Sequence, residues 1–141
     1  MFNFKELKIA DITLAGNTIH VKVEKSNLKE ATCPRCNSNF LKKKDLKEVT
    51  CFDTPINSRY VKIIFTQHNY QCQNCEKEFA EETPLELGYY LTKNFYDKVV
   101  SKLSNEELEP CAKKVADLTG LSEIDAENLI NIIMLEHFIQ V

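Results

Sequence analysis

Four cysteines in two matched pairs, Cys33-Pro34-Arg35-Cys36 and Cys72-Gln73-Asn74-Cys75, constrain this chain more than any other feature. A Cys-x-x-Cys turn holds two thiolates on one side of a metal ion, and two such turns complete a tetrahedral four-sulfur site. Protein sulfur fills every position of that site, so its role is structural. The chain must therefore fold so that Cys33 and Cys36 meet Cys72 and Cys75.

Zinc is the expected ion, because a closed four-thiolate site in a ribbon of strands suits it; iron fits the same ligands. The iron reading is a rubredoxin-like electron carrier, but the chain has no tryptophan and shows no compact aromatic shell. Six cysteines also permit a disulfide framework. The first residues, Met1-Phe2-Asn3-Phe4-Lys5-Glu6, lack the basic-then-apolar layout of a secretory signal. The reading is therefore cytoplasmic, with reduced thiols. Cys51 is expected in a strand and Cys111 in helix packing. His68 stands four residues before Cys72, but with four cysteines present it reads as a strand-surface residue.

The 141 residues suit one ordinary domain or two small ones, and no apolar run is long enough to cross a bilayer. The net charge of -3 conceals an asymmetry. Residues 1–79 hold 13 Lys/Arg against 9 Asp/Glu, whereas residues 80–141 hold 5 against 12. A polyanion would thus meet the first part, unless the imbalance is ordinary solvated surface.

Residues 7–14 and 18–24 read as paired strands around Ala15-Gly16-Asn17. Leu7 and Ile9 are out of phase with Ile12 and Leu14, which calls for a bulge near Asp11. Residues 41–50 form a lysine-bearing strand, residues 53–58 a turn, residues 60–70 a second strand, and residues 77–80 a short closing strand. This is zinc-ribbon logic, two metal-binding turns joined by a long β-hairpin. Beyond Pro84 the period becomes helical. Tyr89, Leu91, Phe95, Val99 and Leu103 mark one helix face, and Ser104 with Glu107 fits a capping box for the next helix. Residues 115–122 read as a helix end, a glycine turn and a new helix capped by Ser122, the outline of a helix-turn-helix. The expected fold is α+β: a zinc-ribbon domain with an N-terminal hairpin over residues 1–84, then a helical helix-turn-helix-like domain over residues 89–141.

Several of these segments resemble the N-terminal region of bacterial insertion-sequence transposases of the ISL-three family. The resemblance lies in Cys33-Pro34-Arg35-Cys36, in Asp53-Thr54-Pro55 ahead of Val61-Lys62-Ile63, and in the run from Tyr70 through Cys72 and Cys75 to Phe79. It spans about residues 31–136. It implies a zinc-binding domain followed by a helix-turn-helix. The family's nuclease domain, with separated acidic residues on a ribonuclease-H-like fold, has no counterpart in 141 residues. Strand transfer is not carried over.

The expected function is a non-catalytic, zinc-dependent DNA-binding module. Arg35, Lys42, Lys43, Lys44, Lys47, Arg59, Lys113 and Lys114 are the candidate phosphate contacts, with a solubilising strand edge as the plain alternative for the lysine run. The last helix, about residues 122–138, carries Glu123, Asp125 and Glu127 where base contacts would be made. It is also apolar on more than one face. The competing function is therefore a zinc-stabilised interaction module, or a homodimer formed through that helix. No activated nucleophile, phosphate-binding loop or open metal position points to an enzyme, and no small-molecule substrate is indicated.

Overall fold

A computed structural model describes residues 7–25, 31–81 and 90–138. The expected domain boundary, between residues 82 and 88, lies outside the described residues. The architecture is α+β, with a five-stranded mixed sheet and three α-helices.

β1 (Leu7–Ala15) and β2 (Thr18–Lys25) form an antiparallel hairpin around Gly16-Asn17. Gly16 sits at φ 61°. The register shifts between Ile9 and Asp11, where phase demanded a bulge. As a result Ile9, Ile12 and Leu14 pair with Val23, Val21 and Ile19 and share their face of the sheet.

β3 (Leu41–Ile56) and β4 (Arg59–Cys72) form a second, much longer hairpin. Residues 53–58 are not all turn, as their composition predicts. The strand runs through Pro55 to Ile56, and only Asn57 and Ser58 turn, both at positive φ (50° and 64°). Pro55 is tolerated because β3 is an edge strand and its register shifts between Asp53 and Ile56. The sheet order is β1-β2-β4-β3, with β2 parallel to β4 from Thr18↔Tyr60 to Val23↔Phe65. β5 (Glu78–Ala80) pairs with residues 69–71 of β4. β4 is thus flanked by β3 along its length, and by β2 and then β5 on its other side.

One face of the sheet buries Val21, Val23, Cys51, Val61, Ile63 and Phe65 as a continuous apolar cluster. The opposite face, carrying Phe52 and Tyr60, meets the helices α1 (Lys93–Ser104), α2 (Ala112–Thr119) and α3 (Glu123–Ile133), the last continued by a π-helical turn over Met134–Phe138. Phe95, Val99 and Leu103 of α1, Val115 of α2 and Leu129 and Ile133 of α3 form the helical core. Most of α3's apolar surface is therefore covered by its own chain and not by a second one. Ile133 is fully buried rather than available to a partner.

The two layers are fastened at Phe52. Its N–H donates to the Tyr90 carbonyl (2.8 Å), and its carbonyl accepts from the Thr92 N–H (2.9 Å). The buried Thr92 hydroxyl donates to Asp53 (2.7 Å) and accepts from the Phe95 N–H, capping α1. The Tyr60 hydroxyl donates to the carbonyl of Asp117 in α2. Gly120, at φ 90°, ends α2 against Phe52 and Tyr60, and a Cβ there would stand 2.9 Å from atoms of both rings. Ser122 caps α3 by accepting from the Asp125 N–H (3.2 Å). The helix end, glycine turn and capped helix read from residues 115–122 are all present.

Two local expectations fail. Ser104 closes α1 instead of capping the next helix; the Glu107 N–H turns back to Lys102 O (2.9 Å). Pro110 then holds its predecessor out of helical conformation, so α2 starts only at Ala112. Cys111 is not packed between helices. It is the exposed N-cap position of α2.

Candidate metal centre

Cys33 and Cys36 lie just before β3, whereas Cys72 ends β4 and Cys75 follows it. The antiparallel pairing Leu41↔Cys72 therefore brings the two turns together at the open end of the hairpin. Both turns obey one hydrogen-bond grammar. The N–H of Cys33 donates to Ser38 O and that of Cys72 to Lys77 O, each 2.9 Å and five residues on. The N–H groups of Asn37 and Glu76 donate back to the carbonyls of Cys33 and Cys72. Asn37 and Glu76 both take positive φ (62° and 66°), which closes each loop. The N–H two residues after each leading cysteine, Arg35 or Asn74, points at its sulfur (3.4 Å in both). Gln73 N–H donates to Phe40 O, tying one turn to the other (2.9 Å).

The four Sγ atoms lie within 4.8 Å of one another. Cys33 and Cys75 are 3.5 Å apart, as are Cys36 and Cys72. A tetrahedron of Zn–S bonds near 2.3 Å has edges of about 3.8 Å, so the sulfur cage fits one ion of that size. A disulfide needs sulfurs at about 2.05 Å, and all six cysteines are free thiols. The sulfurs stand at the spacing of a metal cage and not of a disulfide framework.

Three of the cage thiols depart from their ordinary value. Burial opposes ionisation of Cys33, but the N–H groups of Cys36 and Arg35 and the thiols of Cys75 and Cys36 outweigh it and pull Cys33 down to about 6. Cys72 is also lowered, foremost by the Cys75 N–H, against the opposing effect of burial. At Cys75 the Lys77 N–H favours the thiolate. Burial and the thiol's bonds to the Cys33, Cys36 and Cys72 sulfurs win, raising Cys75 to about 11. Backbone dipoles therefore prepare the cage for negative charge, and a cation is what would let all four thiolates coexist.

His68 is held elsewhere. Its Nδ1 lies 2.8 Å from Glu81 Oε1, which also accepts the His68 backbone N–H (2.7 Å). Cys51 is buried in β3, as expected of a strand residue; burial, then the Asp53 carboxylate, push its thiol up to about 12.

The candidate phosphate contacts do not gather into one patch. Lys42 and Lys47 pair with Gln71 and Gln67, which share a face of β4. Plain alternation from Lys42 would put Lys47 on the other face, but the register shift between Lys43 and Leu46 brings it back. Lys44 also reaches that face and meets Glu78 (3.5 Å), the partner of Gln71 in β5. Lys43, opposite Tyr70, lies on the reverse face. Arg35 sits inside the first metal turn. Arg59 lies at the far end of the hairpin, about 36 Å from Tyr70 along β4 at ~3.3 Å per residue. Lys113 and Lys114 belong to the first turn of α2, and Lys114 is paired with Glu109 (3.1 Å). Among the described residues, no carboxylate forms an ion pair with Arg35, Lys42, Lys43, Lys47, Arg59 or Lys113.

Sequence reasoning named the four cysteines that the fold brings together but missed the bulge that sorts the lysines. Its only signal was Asp45 interrupting the lysine run. No family model, curated protein or solved structure matches this chain. No helix among the described residues is long and apolar enough to cross a membrane.

Proposed function

We propose that this protein is a zinc-stabilised, non-catalytic DNA-binding module of the zinc-ribbon kind, akin to the N-terminal region of transposases. The observation that carries the reading is the gathering of Lys42, Lys44 and Lys47 on one face of the hairpin, beside the metal turns. A tetrathiolate leaves the ion no open position, so the ion's contribution is to fix the hairpin's end. The exposed lysines next to it then face the phosphate backbone as a row of cations. In this reading the α2–Gly120–α3 unit stands where a helix-turn-helix is expected, but Glu123 and Asp125 occupy the first turn of α3. Those carboxylates suit the helix dipole and repel phosphate. The grip therefore belongs to the ribbon, and contacts through it set affinity more than sequence choice.

The test is fluorescence anisotropy of labelled duplex DNA with protein carrying one measured zinc per chain. Binding should weaken steeply with salt. Replacing Lys42, Lys44 and Lys47 together by Ala should flatten the log–log salt slope by up to about 0.9 per lost phosphate contact. Absence of binding at low salt by fully loaded protein would remove the proposal. Iron in place of zinc would remove only the choice of ion.

A second reading, docking or self-association through the C-terminal helix, has one observation in its favour. Leu135 is 66% exposed and Phe138 42% exposed, on the π-helical turn. Leu135→Glu should abolish any association formed there while leaving the helical core intact.

A further inference from the structure

We infer that the outer edge of β1 pairs with the same edge of a second copy of this chain, antiparallel, over residues 11–15 and centred on Thr13. The two ends of the sheet are treated differently. β3, one outer strand, carries Lys42, Lys43, Lys44 and Lys47, a proline and two register shifts, the usual defences of an exposed edge. β1, the other outer strand, carries Ile12 at 57% and Leu14 at 55% exposed, with Ile9 at 49%. Among the described residues, no strand pairs with its outer side.

The geometry names the occupant. The two-residue Gly16-Asn17 turn closes on Ala15 and Thr18, and the closing residues of such a hairpin are a hydrogen-bonded pair. Counting back, Thr13 and Asp11 bond inward to β2, whereas Ile12 and Leu14 present their N–H and C=O outward. One contact agrees independently: the Ile12 N–H is taken by the Asp11 carboxylate of its own strand (3.0 Å), not by a neighbouring strand. A two-fold axis at Thr13 would set Ile12 opposite Leu14 of the second copy in hydrogen-bonded pairs on both sides. It would set Thr13 opposite Thr13 and Asp11 opposite Ala15. Apolar side chains then meet apolar ones, threonines meet each other, and no like charges face. The stretch begins after the bulge, so both copies present regular backbone. An unrelated strand would have to match this pattern, whereas a second copy matches it by symmetry.

Five residues form a small interface, at the low end of specific association, so the dimer is weak and must be sought across protein concentration. Sedimentation equilibrium on the zinc-loaded full chain should show a monomer–dimer equilibrium. Leu14→Pro removes an outward N–H while sparing the β1–β2 ladder, and should leave only monomer with metal content unchanged. Should that variant fold poorly, the doubly charged I12K/L14K, changed at two exposed positions, should give the same loss. Asp11→Ala frees the Ile12 N–H and should tighten the dimer several-fold. Leu135→Glu should have no effect. Monomer at every concentration would overturn the inference, as would association that survives the β1 variants or is lost on Leu135→Glu.

Discussion

The β3–β4 hairpin is one element held by two different means. Its turn half, residues 51–65, is closed by burial: Cys51, Val61, Ile63 and Phe65 join the core on one face, and Phe52 and Tyr60 meet the helices on the other. Its open half has no such support. Residues 42–48 are all exposed, and no residue from 66 to 71 is buried, until Cys72 and Cys33 are reached. Even with the three-residue β5 beside residues 69–71, a narrow ribbon with no buried core is marginal in water. A metal held by the four sulfurs at its end would replace the missing core and let the face of Gln67 and Gln71 carry lysines and amides instead of aliphatics.

The largest test of this contrast is metal removal. Chelation, or Cys72→Ser, should release the protection of amides in residues 41–48 and 66–72 in hydrogen exchange, while residues 61–65 and 126–133 stay protected. The apparent binding energy at stake in small zinc peptides is about 10–16 kcal/mol at neutral pH. Global unfolding on chelation would show that the two halves are one cooperative unit. The converse experiment is Ile63→Ala, expected to cost about 2–5 kcal/mol in denaturant titrations, with zinc stoichiometry still one per chain. Gly120→Ala probes the seam between sheet and helices. The added methyl meets two aromatic rings at a backbone angle disfavouring L residues, for about 1–3 kcal/mol. Its cost should appear as loosening of α2 and α3 ahead of the metal end.

Two pH effects are smaller and act on different halves. At the metal end, Cys75 must lose a proton held at about 11, so loading near neutral pH should release protons and weaken as pH falls. Calorimetry in buffers of different ionisation enthalpy reads that proton count. In the core, Cys51 is raised from 9.0 to about 12 by burial. A raised thiol pKa stabilises the fold fully below the unfolded value, and that contribution is lost as pH climbs from about 9 towards 12. Cys51→Ala should flatten this alkaline decline. Alkylation at neutral pH should label Cys111 quickly and Cys51 scarcely at all, since one is exposed and the other buried.

Much of the local structure was legible before any coordinates. The out-of-phase Leu7/Ile9 and Ile12/Leu14 foretold the β1 bulge, because a pleated strand cannot otherwise put all four on one face. Ser122 and Gly120 announced a helix start and stop through capping chemistry that depends on near neighbours alone. Ser104 misled because a capping box looks the same wherever it occurs, and Pro110 decided where α2 could begin. Cys111 misled because an apolar-looking cysteine carries no sign of which way its helix end faces.

The sequence by itself determined which sulfurs would form the cage. Two Cys-x-x-Cys turns bracketing strand-forming runs leave few other ways to satisfy four thiols, and the local turn chemistry is written within six residues of each leading cysteine. Only the tertiary structure decided which lysines share a face, that α3 spends most of its apolar surface inside its own chain, and that β1 is left as an open edge. Those outcomes depend on a bulge, on packing against Phe52 and Tyr60, and on strand order. Each is set by contacts between residues far apart in the chain, which short-range patterns do not encode.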